Sequence, residues 1–270
     1  MFFTSIELSE IESFLKDRIA KAGKIARKYF LEKDVVRHKK QDFDFVTDAD
    51  LAVEKYLKAE LDRRFPRIPV MSEESAQRDF QAYRREKALF VIDPIDGTIN
   101  FSHGIDHYAI SIGLVSEGKS LLGVCQTSDK SEVYSARHDM PGAFCNGREI
   151  KIKNVDNLSE AVILADWPHE LAMRKKILGF ISTVFQKTRF ISIYGAAVFD
   201  LMMLARGQVH AAFVAGHQPW DVAAAGLIVR KAGAVITGAD GKPFDIFKRH
   251  FLAAVPGIQL ELLTYTMKLF

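Results

Sequence analysis

Asp93 and Asp96 stand three residues apart in the stretch FVIDPIDGTINF, at the end of an apolar run that reads as a buried strand. Two carboxylates delivered to the end of such a strand repel each other unless a positive charge neutralises them. A hard divalent cation such as Mg²⁺ suits clustered carboxylate, carbonyl and hydroxyl oxygens. Pro94 restricts its neighbour to extended geometry, and Gly97 permits a tight turn that is expected to bring Asp96 back beside Asp93. Thr98 adds a hydroxyl beside the pair. The competing use of the same residues is structural, because Asp often caps turns and helix N-termini.

More acid stands where other elements begin. Glu73 and Glu74 close VMSEES, Asp50 closes DFVTDAD, and Asp221 lies in QPWDVAAAG. Asp221 would open a helix that Ala223, Ala224 and Gly226 allow to pack closely. Taken singly, Glu74 and Asp50 read as well as salt-bridge partners or helix caps as they do as ligands. Thr47 and Asp50 resemble a capping box, Asp221 an N-cap, and Trp220 a core residue. His103, His107 and His217 read as supporting or surface groups. Asp42, Asp44, Asp48 and Asp50 crowd together, but an EF-hand loop requires an acid or amide and then Gly where Val46 and Thr47 stand.

These residues need elements to hold them. Leu8, Ile11, Leu15, Ile19, Ala22 and Ala26 recur at steps of three and four, predicting a surface helix over 8–30. A second helix should start at Thr47 or Asp48 and end before Pro66, with Val53, Leu57 and Leu61 as its core stripe. From about 68 to 152, short apolar runs broken at Glu117-Gly118, Asp129-Lys130 and Asn146-Gly147 predict a largely antiparallel sheet. Beyond 155, strands AVILAD, RFISIY, VHAAFVA, AVIT and FLAAV alternate with helices over 169–187, 196–206 and 221–232, predicting a sheet covered by helices. The chain thus divides into 1–152, carrying most of the acids, and 153–270, contributing Asp221.

Composition excludes several classes. At 270 residues and 48% hydrophobic, the chain can bury one large core or two joined ones. Its 37 basic and 34 acidic residues nearly balance, and the clusters VRHKK and MRKK are short, unlike the concentrated charge of a nucleic-acid-binding domain. Apolar stretches are cut by Asp200, Arg206 or Arg230 before reaching the roughly 20 residues of a membrane span, and the start carries no basic leader. Cys125 and Cys145 lack metal-ligand spacing and read as reduced structural residues, which fits a cytoplasmic setting.

Together, EE at 73–74, DPIDGTINF at 93–101, NGREI at 146–150 and WDVAAAG at 220–226, with DFVTDAD at 44–50 upstream, resemble the inositol monophosphatase family. The resemblance implies an α+β or α/β fold, a layered αβαβα sandwich of the inositol monophosphatase and fructose-1,6-bisphosphatase type. It also implies lithium-sensitive, Mg²⁺-dependent hydrolysis of a phosphate monoester by a metal-activated water, commonly in a homodimer. Two or three Mg²⁺ ions are implied, with Glu73, Asp93 and the Ile95 carbonyl at the first and Asp93, Asp96 and Asp221 at the second. Glu73, Thr98, Asp50 and Thr47 would be catalytic. Asp96, Gly97, Thr98, Tyr194, Gly195, Ala196 and Asp221 would contact substrate, and Lys39 would supply positive charge near the site.

Inositol 1-phosphate is the substrate this resemblance favours, yet two positions depart from the inositol-specific pattern. Val214 stands six residues before Trp220, where those members commonly carry an acid, and Tyr194-Gly195 replaces Gly followed by Ser or Thr. Phosphatases of histidinol phosphate, fructose 1,6-bisphosphate and 3′-phosphoadenosine 5′-phosphate are the related alternatives. The third usually carries Lys-Glu after DGT, where this chain has Ile99-Asn100. A different class is a binding partner in transcription antitermination, as some bacterial relatives are, although the nearly balanced charge gives nucleic-acid machinery no support.

Overall fold

The computed structural model describes residues 3–32, 37–41, 44–76, 79–168 and 170–270, and only the backbone of 37–41, 44 and 45. The Lys39 side chain and Asp42 therefore lie outside the described residues.

The elements follow the apolar patterning. Helix α1 (Ser5–Glu32) buries the six apolar residues of its stripe. After the hairpin of β1 (Arg37–Gln41) and β2 (Asp44–Thr47), α2 (Asp48–Arg64) starts on the Thr47 cap and buries Val53, Leu57 and Leu61. Next come β3 (Val70–Ser72), α3 (Gln81–Arg84), β4 (Leu89–Asp96), α4 (Thr98–Ser102), β5 (Ala109–Ser116) and β6 (Lys119–Thr127). Strands β7 (Val133–Arg137), β8 (Ala143–Cys145) and β9 (Arg148–Ile150) complete a seven-stranded sheet ordered β3-β4-β5-β6-β7-β8-β9. Only the β3–β4 pair in it is parallel.

Two of its hairpins use left-handed pairs, Glu117-Gly118 (φ 47° and 76°) and Asn146-Gly147 (φ 49° and 77°). Such pairs match strand twist in two-residue loops. At the third break the left-handed residue is Ser131 (φ 51°), not the expected Asp129-Lys130, so that connection is a longer loop.

The second sheet has five strands. In chain order the elements are β10 (Val162–Ala165), α5 (Leu171–Val184), β11 (Phe190–Ser192), α6 (Ala197–Ala205), β12 (Ala211–Ala215), α7 (Pro219–Val222), α8 (Ala225–Lys231), β13 (Val235–Gly238), β14 (His250–Ala254) and α9 (Pro256–Thr266). The strand order is β11-β10-β12-β14-β13, parallel at β10 and antiparallel around β14. From one side to the other the layers are α1 and α2, the first sheet, α6 to α8, the second sheet, then α5 and α9. This is an αβαβα sandwich.

Two details differ from the sequence expectation. The helix expected over 221–232 is two, because Pro219 opens α7 at its first turn and a break at Ala223-Ala224 precedes α8. Helix α9 was not anticipated, although Pro256 at its start and Ile258 and Leu262 on its buried side carry a helix signal. No described helix is long and apolar enough to cross a membrane.

Candidate active site

Strand β4 pairs with β5 through Asp93↔Ser111 and Asp96↔Ala109, so three steps on β4 match two on β5. That extra residue is a β-bulge. In an uninterrupted strand, residues three apart face opposite sides. The bulge at Pro94-Ile95 puts Asp93 and Asp96 on one side and buries Ile95 on the other, among residues packed under α1 and α2. The pair is brought together inside the strand, before the turn at Gly97, and this corrects the expected role of Gly97. Gly97 (φ 87°) instead allows close approach, since a Cβ there would lie 2.9 Å from Ala196 Cβ and 3.0 Å from the His107 carbonyl.

Asp221 arrives from the opposite layer. Gly113 and Gly123 are partners across β5 and β6, and the turn between α7 and α8 rests on them. A Cβ on Gly123 would come within 2.6 Å of the Ala224 carbonyl oxygen, and one on Gly113 within 3.1 Å of Ala223 Cβ. This contact between small residues lowers α7 until one carboxylate oxygen each from Asp93, Asp96 and Asp221 lie within 4.8 Å of one another. Asp221 Oδ2 also accepts the Gln218 N–H at 2.8 Å, so it is the third residue of α7 closing back on the cap, not the cap itself.

Each acid has a distinct environment. Asp96 Oδ2 accepts the amides of Val198 (2.9 Å) and Phe199 (3.1 Å) at the start of α6. Burial nevertheless pushes its carboxyl up to about 7. Burial, reinforced by the charges of Glu73, Asp96 and Asp221, raises Asp93 well above the usual carboxylate range, and burial does the same to Asp221. Asp93 Oδ1 is buried and has no hydrogen-bond partner. None of the described ion pairs reaches Asp93, Asp96 or Asp221. An orphaned buried carboxylate oxygen among like charges is costly without a cation, and the hard oxygen set fits Mg²⁺.

Glu73 follows β3, and its amide donates to the Ile92 carbonyl at 3.2 Å. It stands outside the group of three, but its charge raises Asp50, Asp93, Asp96 and Asp221. The Thr47–Asp50 pair is a complete capping box, with the Thr47 amide donating to Asp50 Oδ2 at 2.8 Å and the Thr47 hydroxyl donating to the same oxygen. Asp50 Oδ1 faces Thr98 Oγ1 at 3.2 Å, and Thr98 Oγ1 is also 3.0 Å from the Ile95 carbonyl. Burial pushes Asp50 up to about 6. Asp50 thus caps α2 with one oxygen and reaches Thr98 with the other.

The turn at 194–196 lies against Gly97 through Ala196. Tyr194 stacks on His107 with centroids 4.4 Å apart, and His107 stacks on Phe199 at 3.9 Å. Asn100 Nδ2 donates to both the His107 carbonyl (2.9 Å) and the Tyr194 carbonyl (2.7 Å), fastening that turn to α4. Val214 lies in β12 opposite Phe251 and is buried in the core. Sequence reasoning missed the α6 amides, Asn100 and the Gly113–Gly123 pair. The repeated glycines in ISIGLV and LLGVC were the one available signal.

Comparison with known proteins identifies the family. The sequence profile described as Inositol monophosphatase family matches residues 7–268. Inositol monophosphatase 2 of Homo sapiens is 32% identical over 237 residues, covering 87% of this chain and 82% of that protein. The crystal structure of extragenic suppressor protein suhB from Bartonella henselae superposes with a TM-score of 0.87 at 30% identity, covering 96% of this chain and 99% of that one. The Thermotoga maritima IMPase follows at a TM-score of 0.84 and 29% identity, covering 95% and 96%. With the profile spanning nearly the whole chain, this protein belongs to the inositol monophosphatase family and is a metal-dependent phosphomonoesterase.

Proposed function

We propose that this protein hydrolyses inositol 1-phosphate, or a closely similar phosphate monoester of a small polyol, with Mg²⁺. The observation that carries the proposal is the convergence of buried Asp93 and Asp96 with half-buried Asp221, Asp93 Oδ1 being left without a partner. Glu73, Asp93 and the Ile95 carbonyl would hold a first Mg²⁺, and Asp93, Asp96 and Asp221 a second. Bound there, the ions supply charge neutralisation for the phosphoryl group and the departing alkoxide, and lower the pKa of a water.

The protein's own groups do the rest. Thr98 has one hydroxyl proton and two acceptors within reach, Asp50 Oδ1 and the Ile95 carbonyl. Once that carbonyl is engaged elsewhere, the proton goes to Asp50, and a lone pair of Thr98 faces the attacking water. Thr47 holds Asp50 in this orientation from its other oxygen. Glu73 takes the water proton as the new O–P bond forms and the ester P–O bond breaks, and a proton then returns to the leaving alkoxide. Amides of the first turn of α4, around Gly97 and Thr98, have no helical acceptors and would bind phosphate oxygens. Tyr194, Gly195 and Ala196, with Asp96 and Asp221, would line the alcohol side.

The same reading includes lithium inhibition, a homodimer and a cytoplasmic location. The test is phosphate release from inositol 1-phosphate, histidinol phosphate, fructose 1,6-bisphosphate and 3′-phosphoadenosine 5′-phosphate, each with and without Mg²⁺. The expected result is metal-dependent turnover highest with inositol 1-phosphate. A higher rate with another ester would reassign the substrate, and turnover independent of Mg²⁺ would overturn the metal roles.

A further inference from the structure

Asp221 is anchored in the middle layer, and the residue before it is gripped from outside. Phe80 packs edge-on against Trp220 with centroids 5.9 Å apart and an interplanar angle of 83°, and Phe247 lies 6.3 Å from Phe80. These rings come from three places: the start of α3, α7, and the loop between β13 and β14. A salt bridge ties the two outer ones, with Arg84 donating to Asp245 Oδ2 at 2.5 Å while its guanidinium lies 5.1 Å from the Phe247 ring centroid. Asp245 Oδ1 meanwhile accepts the Phe247 amide at 3.0 Å, which holds that loop in shape. On its inner side, Trp220 is fixed by its carbonyl, which accepts from Ser111 Oγ at 3.4 Å. Ser111 is the β5 partner of Asp93.

We propose that Phe80, Phe247 and the Arg84–Asp245 pair form a bracket that positions Trp220 and thereby fixes Asp221 at the distance from Asp93 and Asp96 needed to hold a metal ion. They are positioning residues and touch no reacting atom. The proposal rests on the metal reading given above. Its physical basis is that α7 is a single turn of four residues and cannot rigidify itself. Its inner contacts through Ser111, Ala223 and Ala224 leave the outer face of Trp220 to be held by the bracket. Fixing this indole would remove the freedom that otherwise loosens the carboxylate next to it.

The test uses Mn²⁺ alone, which carboxylate sites accept, with free Mn²⁺ counted by electron paramagnetic resonance and no substrate present. The variants are Phe80→Ala, Phe80→Tyr, Arg84→Asp, Asp245→Arg and the exchanged pair Arg84→Asp with Asp245→Arg. Melting of each metal-free protein is followed alongside. Phe80→Ala and either single charge change should weaken Mn²⁺ binding about tenfold, the scale of groups that orient metal ligands. Phe80→Tyr should bind Mn²⁺ as wild type does, and the exchanged pair should regain the part of the loss that comes from the broken ion pair but not the part that comes from the lost Asp245–Phe247 amide bond, with metal-free melting unchanged in Arg84→Asp. Equal affinity in wild type, Phe80→Ala and Arg84→Asp would overturn the bracket while leaving the metal site standing. Absence of Mn²⁺ binding by the wild type would overturn the metal reading itself, and the bracket with it.

Discussion

On β4, Phe90, Ile92 and Ile95 face α1 and α2, whereas Leu89, Val91, Asp93 and Asp96 face the layer of α6 to α8. The cluster that Phe90, Ile92 and Ile95 join on the first face is aliphatic and aromatic, with Leu8, Leu15, Leu57 and Ile112 among its members. On the second, aliphatic packing gives way near the strand end to carboxylates, and at Gly113 and Gly123 to bare backbone. The contrast assigns separate work to the two sides of one sheet. Burial of apolar surface on the first side holds the strand in place. Repulsion among carboxylates on the second opposes folding until a cation arrives. A stable scaffold and a strained site can share a strand because its alternation separates them.

The predictions set the two faces against each other. Asp93→Asn should lower Mg²⁺-dependent phosphate release by about 100-fold or more. The same change should raise metal-free stability by about 1 kcal/mol, because it removes like-charge repulsion while keeping the side chain's shape. Phosphate assays and denaturant titration in EDTA would check both, and a loss of stability on this substitution would break the comparison. Leu15→Ala should behave oppositely, costing about 2–5 kcal/mol while the folded fraction keeps its specific activity. Gly123→Ala tests the join between the faces. Its Cβ would meet the Ala224 carbonyl oxygen at 2.6 Å, so a cost of about 1–3 kcal/mol is expected, together with weaker Mg²⁺ dependence as Asp221 is displaced.

A pH series sharpens the same contrast. Asp50 and Asp96 are pushed up to about 6 and about 7 from an ordinary 3.8, chiefly by burial. The folded metal-free protein therefore keeps protons that the unfolded chain has released. Their stabilisation is complete below the unfolded value and lost as pH rises through the folded ones. The Tm in EDTA should fall between about pH 5 and about pH 8, and Mg²⁺ should reverse the slope by displacing those protons. The smallest effect is expected from Thr47→Ala, which removes one half of the α2 capping box and should cost about 1 kcal/mol. Lower activity beyond that loss would show that the cap also serves Asp50.

Much of the scaffold was legible because its signals are local. The stripe from Leu8 to Ala26, the Thr47–Asp50 box and the Asn146-Gly147 turn each declare a conformation within a few residues. The second helix, from its cap to its stop before Pro66, is an example of such closed local logic. Asp93, Asp96 and Asp221, which the structure brings together, were singled out by the resemblance of their motifs, whereas singly each reads also as a cap or an ion-pair partner. What brings them together was not legible. The bulge between Asp93 and Asp96 is defined by what β5 does opposite it. The amides that hold Asp96 come from residues 198 and 199, about a hundred positions away. The carbonyls gathered by Asn100 belong to residues 107 and 194. Contacts of that kind have no sequence period, so only the folded chain reveals them.

The bulge at Pro94-Ile95 has a further consequence when the strand is regarded as a two-beat rhythm. One extra residue shifts the phase, so everything after it is read on the opposite beat. Were the strand to run on without the bulge, every amino acid of the site would remain in the chain, yet Asp96, three steps from Asp93, would come due on the side occupied by α1 and α2, and Ile95 would stand beside Asp93. The number of residues between two acids is thus as much a part of the chemistry as their identity. A change that straightened the strand while keeping every functional side chain would be more damaging than many substitutions that remove one.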